Sequence, residues 1–107
     1  GGEKQWMDLL KGKNNTWCSR IIDYFTRFKN VYADISFTNA YPELFELIRS
    51  RIGRSEIVKQ RTLYALDYYM VVVKGHYRSL KADFDAAMGD ELIKQIGIIN
   101  PRKFLGF

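Results

Sequence analysis

The chain has 107 residues, enough for one domain, 1–107, and too few for two. Its 47% hydrophobic and 15% aromatic residues can fill a core without disulfides or metals, which excludes a disordered chain. The net charge of +5 favours an anionic partner, either nucleic acid or an acidic lipid surface.

The longest apolar run and the start of the sequence support two further predictions. Residues 63–73 form that run, which is shorter than the ~18 residues of a membrane-spanning helix and contains Asp67. The sequence begins Gly1-Gly2 without Met. We interpret this start as a processing or cloning scar and expect further residues upstream in the natural protein.

Two helices are predicted in the first third of the chain. A short amphipathic helix covers about Glu3 to Lys11, and a longer one runs from Thr16, placed to cap it, to about Ala33. Spacings of three and four define a buried stripe of Trp17, Ile21, Tyr24, Phe25, Phe28, Val31 and Tyr32. The opposite, solvated face carries Arg20, Asp23, Arg27 and Asn30.

The middle of the chain is predicted to form the third and fourth helices. Pro42 fits the first turn of a helix that ends at Gly53. Ser55 is placed to cap the next helix, from about Glu56 to Lys74. Because this fourth helix is apolar almost all round, we expect it at the centre of the fold, with Tyr69 in the core.

The last third is predicted to be helical from about Tyr77 to Ile96, in two pieces divided at Gly89. Gly97 ends the helix and Pro101 follows, so residues 98–107 are predicted to be an extended tail. The fold class expected from these elements is all-α. Its architecture is an antiparallel four-helix bundle with a short N-terminal helix and an extended C-terminal tail.

Residue types that carry catalysis or bind metals are scarce. The single cysteine, Cys18, excludes an internal disulfide, and with the single histidine, His76, it cannot supply a metal site. Asp83 and Asp85 are two positions apart and face different sides of a helix. No glycine-rich phosphate loop is present. The sequence therefore predicts no enzyme, no cofactor and no metal.

The basic excess is concentrated in one part of the chain. Residues 49–81 hold eight cations against Glu56 and Asp67, whereas residues 83–91 hold four acids and no base. Arginine predominates around the predicted helix junction, and its fork suits phosphate oxygens. We expect sequence-independent binding of DNA phosphates by Arg49, Arg51, Arg54, Lys59 and Arg61, with Arg20 and Arg27 as a second row.

A short pattern carries a family resemblance. Arg51-Ile52-Gly53, then Ile57-Val58, Leu63, Ala65 and Tyr68-Tyr69, resembles the coat proteins of the rudiviruses and lipothrixviruses, filamentous viruses of hot-spring archaea. The similarity covers about residues 41–97; the Trp-containing front part is similar only in its helix layout. The high charge and the basic, aromatic tail depart from the rudiviral pattern, which leaves open which of the two paired lipothrixviral coat proteins it would be.

The resemblance implies a structural role. It implies a four-helix-bundle major coat protein that packages linear double-stranded DNA and self-assembles into a filament, with an N-terminal extension that helps wrap the DNA. The implied partners are DNA, further copies of the chain, a paralogous coat protein and a lipid envelope. The implied location is the virion nucleocapsid, after synthesis in the host cytoplasm.

The tail suggests a contact outside the domain, because it is too apolar for a free end in water. We expect Arg102, Lys103, Phe104 and Phe107 to touch a neighbouring subunit or the envelope. Packing back onto its own domain is the alternative for this tail. For the whole chain, two other functions stay open: a small regulatory DNA-binding domain, and a membrane-surface or protein-interaction bundle.

Overall fold

The computed structural model describes residues 4, 7–8, 11–13, 15–36 and 38–106, without the side chains of Asn39, Met70 and Lys74. Among these residues the chain is mostly helical, with one small parallel sheet, and it is compact, with a radius of gyration of 13.3 Å. The helices are α1 (Trp17–Arg27), α2 (Phe45–Arg54), α3 (Glu56–Arg61), α4 (Tyr68–Lys74), α5 (Tyr77–Met88), α6 (Asp90–Lys94) and α7 (Asn100–Leu105). The strands are β1 (Ala33–Asp34) and β2 (Thr62–Leu63); two 3₁₀ turns (Thr38–Ala40, Pro42–Leu44) precede α2, and a π-helical turn (Gln95–Ile99) joins α6 to α7.

The predicted N-terminal helix is described only in part. Lys4, Met7 and Asp8 have helical backbones, and the Lys11 N–H donates to the Met7 carbonyl at 3.1 Å. Trp6, Leu9 and Leu10, the large apolar residues between Glu3 and Lys11 apart from Met7, lie outside the described residues.

Helix α1 begins at the predicted cap and ends earlier than predicted. The Thr16 hydroxyl accepts from the Ser19 N–H at 3.1 Å, and the Ser19 hydroxyl accepts from the Thr16 N–H at 2.9 Å, a reciprocal capping box. The helix stops at Arg27 because Phe28 is extended (φ −126°, ψ 129°). The predicted helical extension to Ala33 is therefore wrong: residues 28–32 are turn and irregular backbone, and β1 begins at Ala33.

The predicted fourth helix is divided. Its N-terminal cap is confirmed, since the Ser55 hydroxyl accepts from the Val58 N–H at 3.4 Å. Thr62, however, is extended and pairs with Ala33 of β1 in the parallel sheet, while its hydroxyl donates to the Val58 carbonyl at 2.7 Å. The helix resumes as α4 only after Asp67, whose left-handed backbone (φ 51°) redirects the chain.

The predicted extended tail is also wrong, because residues 90–105 form helix throughout. A proline inside an α-helix clashes with the carbonyl four residues earlier, here that of Gly97. The π turn widens the helix just before Pro101: the Asn100 N–H donates to the Gln95 carbonyl, five residues back. This wider turn lets the helix continue through both Gly97 and Pro101.

Asn100 joins this C-terminal helix to the end of α3. Its side chain is fully buried, and its amide nitrogen donates to the carbonyls of Lys59 at 2.7 Å and Thr62 at 2.6 Å. The Gln95 amide donates to the Asn100 side-chain oxygen at 2.7 Å. Carbonyls released by the break after α3 thus find a partner, as buried backbone groups require.

The core lies between α1, α2, α3, α5 and the C-terminal helix. Its buried residues are Phe25, Ile35, Leu44, Phe45, Ile48, Ile52, Val58, Phe84, Met88, Leu92 and Ile96. Leu44, Phe45, Ile48 and Ile52 are almost fully buried. The predicted burial of Trp17, Tyr24, Phe28 and Tyr69 is wrong, since these side chains are 66%, 42%, 53% and 83% exposed.

The contrast between Tyr69 and Phe84 gives the first prediction. Tyr69→Ala should change the free energy of unfolding by no more than about 0.5 kcal/mol, because the ring contacts little of the core. Phe84→Ala should cost about 3–5 kcal/mol, because Phe84 is fully buried against Phe45 and Tyr64. Urea unfolding measures both changes. A large loss for Tyr69→Ala would contradict the exposed position of α4.

The Asn100 contacts give the second prediction. Asn100→Leu keeps a similar volume but removes both donated hydrogen bonds, so we expect a loss of about 2 kcal/mol or more from two unsatisfied buried carbonyls. Asn30→Leu, an exposed change of the same type, is the matched control. Thermal and urea unfolding measure the difference. Equal stability of the two variants would show that Asn100 does not hold the C-terminal helix in place.

Candidate nucleic-acid interface

The cations predicted to bind phosphate do not form one cluster. Arg49, Arg54 and Lys59 line an open groove of about 830 Å³ between the α2–α3 pair and the start of α6; we call this the charged groove. Arg51 lies at the edge of a different cavity, which faces α1. Arg61 packs elsewhere, and Arg20 and Arg27 lie on α1.

The charged groove holds as many acids as bases. Its cations are Arg49, Arg54, Lys59 and Lys94, and its carboxylates are Glu46, Glu56, Asp90 and Glu91. Lys59 pairs with Glu56 at 3.0 Å. Hydrogen bonds from the Lys59 ammonium and the Gln60 amide lower the pKa of Glu56. The groove is therefore close to neutral, and Lys59 is already engaged within it.

Helix α2 has three exposed arginines, which do not all lie on one side of it. Arg49, Arg51 and Arg54 are all exposed, while Phe45, Ile48 and Ile52 face the core. Among the ion pairs between described residues, none includes Arg49 or Arg54. These two side chains are accordingly open to a ligand's phosphates.

The Arg61 side chain packs against the Tyr32 ring. Its guanidinium carbon lies 5.3 Å from the centre of the Tyr32 ring, and the side chain is half-buried. One guanidinium nitrogen, Nη1, is buried without a hydrogen-bond partner among the described residues. This orientation places at least part of the Arg61 charge against the protein instead of toward an external phosphate.

Helix α1 carries a surface that the sequence did not predict. The exposed side chains of Trp17, Arg20, Tyr24, Arg27 and Phe28 lie on one side of the helix and form what we call the arginine–aromatic face. Its arginines have local contacts: Arg20 donates to the Asn15 side-chain oxygen at 3.0 Å, and Arg27 pairs with Asp23 at 2.9 Å.

A signal for this face is present in the sequence. Arg20 follows Trp17 by three residues and Arg27 follows Tyr24 by three, so each arginine shares a helix side with an aromatic residue. The apolar stripe predicted for this helix covers too much of the helix circumference for every one of its side chains to be buried. In the structure the buried side is centred on Phe25, with Cys18 and Ile22 beside it.

Three of the four predicted C-terminal contact residues lie on α7. Arg102, Lys103 and Phe104 are exposed, and the Phe104 ring lies 5.2 Å from that of Tyr32. Phe107 lies outside the described residues. Among the ion pairs that the structure describes, none joins Arg102 or Lys103 to the acidic segment 83–91.

The described residues also show where catalytic chemistry could be sought. His76 Nδ1 lies 3.4 Å from the Ser79 hydroxyl, in an exposed contact across the first turn of α5. Cys18 lines an apolar cavity of about 220 Å³ between α1 and α3. In the part of the chain described, three or more side chains of the metal-binding types do not come together. None of the described helices has both the length and the apolar character to cross a bilayer.

Comparison with known proteins leaves the family open. No family model matches the chain, and no curated protein and no solved structure matches it significantly.

The cavity beside α1 gives the third prediction. Burial raises the pKa of the Cys18 thiol, because the thiolate loses hydration there. At about pH 8, just below the ordinary thiol pKa, the folded chain should be alkylated more slowly than the urea-unfolded chain. The rate should rise at higher pH in the folded state than in the unfolded one. Faster labelling of the folded chain would contradict this environment.

Proposed function

We propose that this chain is a structural protein that binds linear double-stranded DNA without sequence specificity and assembles along it. The observation that carries the proposal is helix α2, whose three arginines, Arg49, Arg51 and Arg54, are all exposed. Exposed arginines suit phosphate contacts, and such contacts carry no sequence information. The role is that of a major coat protein of a filamentous archaeal virus.

The number of phosphate contacts should be smaller than the count of cations suggests. Lys59 is paired with Glu56, and Arg61 is directed against Tyr32. Asp90 and Glu91 lie in the same groove as Arg49 and Arg54 and weaken the local positive potential. We expect about three phosphate contacts for each subunit, made chiefly by α2.

The charged groove supports the second half of the proposal, assembly. Its α2–α3 side carries three cations and two carboxylates, whereas its α6 side carries Asp90 and Glu91 against Lys94. Opposite charges near one surface favour contact between identical subunits in a repeating array. An antiparallel four-helix bundle and a paralogous partner coat protein belong to this proposal as implications of the family resemblance.

The fourth prediction concerns salt. Log affinity for a blunt duplex should fall with log salt with a slope of about −3, as expected for three neutralised phosphates. All seven predicted cations would give about −6. Affinities for unrelated duplexes should agree. Titration of labelled duplexes at several salt concentrations measures both quantities, and a large preference for one sequence would favour the regulatory DNA-binding domain instead.

Matched variants locate the site. Arg54→Gln should weaken duplex binding and make the slope shallower by about one contact, whereas Arg78→Gln, an exposed arginine on α5, should do neither. Asp90→Asn with Glu91→Gln should strengthen binding, because carboxylates in the groove are neutralised. Asp83→Asn, outside the groove, is its control. Equal effects of Arg54→Gln and Arg78→Gln would contradict an α2 site.

A second candidate function rests on α7. Phe104 and Leu105 are 54% and 62% exposed beside the exposed Arg102 and Lys103, a composition that suits a membrane surface. Flotation with anionic vesicles in the absence of DNA tests it, with Phe104→Ala and Leu105→Ala as variants. Flotation that these variants abolish would favour a lipid contact, such as the envelope contact implied by the resemblance.

A further inference from the structure

The arginine–aromatic face has a composition that duplex binding does not use. Trp17, Tyr24 and Phe28 are 66%, 42% and 53% exposed on a helix whose other side fills the core. Exposed apolar side chains that cluster on one surface mark a candidate binding site. In a duplex the bases are stacked on one another, and their faces are closed to side chains. A duplex therefore offers these rings no base face on which to stack.

The spacing of the rings suits a chain of separate planar groups. Trp17 and Tyr24 are seven residues apart, which is about 10 Å along the helix axis. Tyr24 and Phe28 lie closer, with ring centres 5.8 Å apart and planes at 68°. Two aromatic groups therefore line one side of α1: the Trp17 indole, and the Tyr24–Phe28 pair.

The charge around these rings favours an anion. Arg20 lies between the two aromatic groups and Arg27 lies beside the Tyr24–Phe28 pair. Lys29 follows in an exposed position. Asp23 is the one carboxylate among residues 16–30, and it pairs with Arg27.

We propose that the arginine–aromatic face binds single-stranded nucleic acid. Unpaired bases stack on Trp17 and on the Tyr24–Phe28 pair, and Arg20 and Arg27 contact the phosphates between them. Aromatic rings interleaved with arginines give sequence-tolerant binding of this kind. This inference goes beyond duplex binding by α2 and does not require it.

The experiment compares aromatic variants on single strands and duplexes. The probe is a labelled oligothymidine of about 20 nucleotides, read by fluorescence anisotropy, beside a blunt duplex of the same length. Trp17→Ala and Tyr24→Ala should each weaken oligothymidine binding by about tenfold, the loss expected for one stacked base. Trp17→Phe should retain most of the affinity, because a ring remains. Duplex binding should change little in all three.

Tyr69→Ala is the matched control, since Tyr69 is an aromatic residue still more exposed than Trp17 and lies on α4. It should leave oligothymidine binding unchanged. Circular dichroism melting confirms that each variant folds, and if Trp17→Ala does not fold, Tyr24→Ala decides. Losses no greater than that of Tyr69→Ala, or equal losses on duplex and single strand, would overturn the inference. Arg54→Gln, tested on the duplex, separates this outcome from failure of the α2 site.

Discussion

The buried amide of Asn100 is the contact on which the arrangement of the second half of the chain depends. By donating to the carbonyls of Lys59 and Thr62, it satisfies backbone groups at the point where α3 ends. The chain can then leave the helix, pair with β1 and reach α4 through the left-handed Asp67. The same amide fixes the start of α7 and so converts the end of the chain from a tail into part of the domain.

This constraint also determines which surfaces are exposed. Because α3 is only six residues long, the apolar segment after it forms a separate helix, α4, and Tyr69 and Val73 of this helix lie on the surface. The α2–α3 pair packs against α1 and the C-terminal helix, and the arginines of α2 remain exposed. The acidic start of α6 faces part of that pair across the charged groove, which divides the basic patch seen in the sequence into regions with different surroundings.

Local signals in the sequence predicted local structure well. The caps at Thr16 and Ser55, the proline before α2 and the break at Gly89 depend on neighbouring residues alone, and the structure has each of them. The sequence likewise showed the extent of the basic segment. It did not show that the fold divides these cations among surfaces with different surroundings. Carboxylates distant in sequence, such as Asp90, approach the arginines only through the fold.

The features that were missed depend on distant partners. Thr62 leaves the helix because β1 and Asn100, far along the chain, offer its backbone other hydrogen bonds, and periodicity cannot register such competition. Pro101 did not end the helix because a π turn relieved its clash. On α1, spacing identified an amphipathic helix, but a stripe this wide did not reveal which aromatic residues would meet the core. The face formed by Trp17 and Tyr24 followed only from tertiary packing.

Photo-crosslinking would locate the proposed nucleic-acid contacts on α1 and α2. Duplex and oligothymidine probes carrying photoreactive bases would be irradiated with the full chain, and the crosslinked peptides identified by mass spectrometry. We expect crosslinks to residues 45–54 with the duplex and to residues 17–28 with the single strand. Crosslinks confined to α4, α5 or α7 would contradict these contacts.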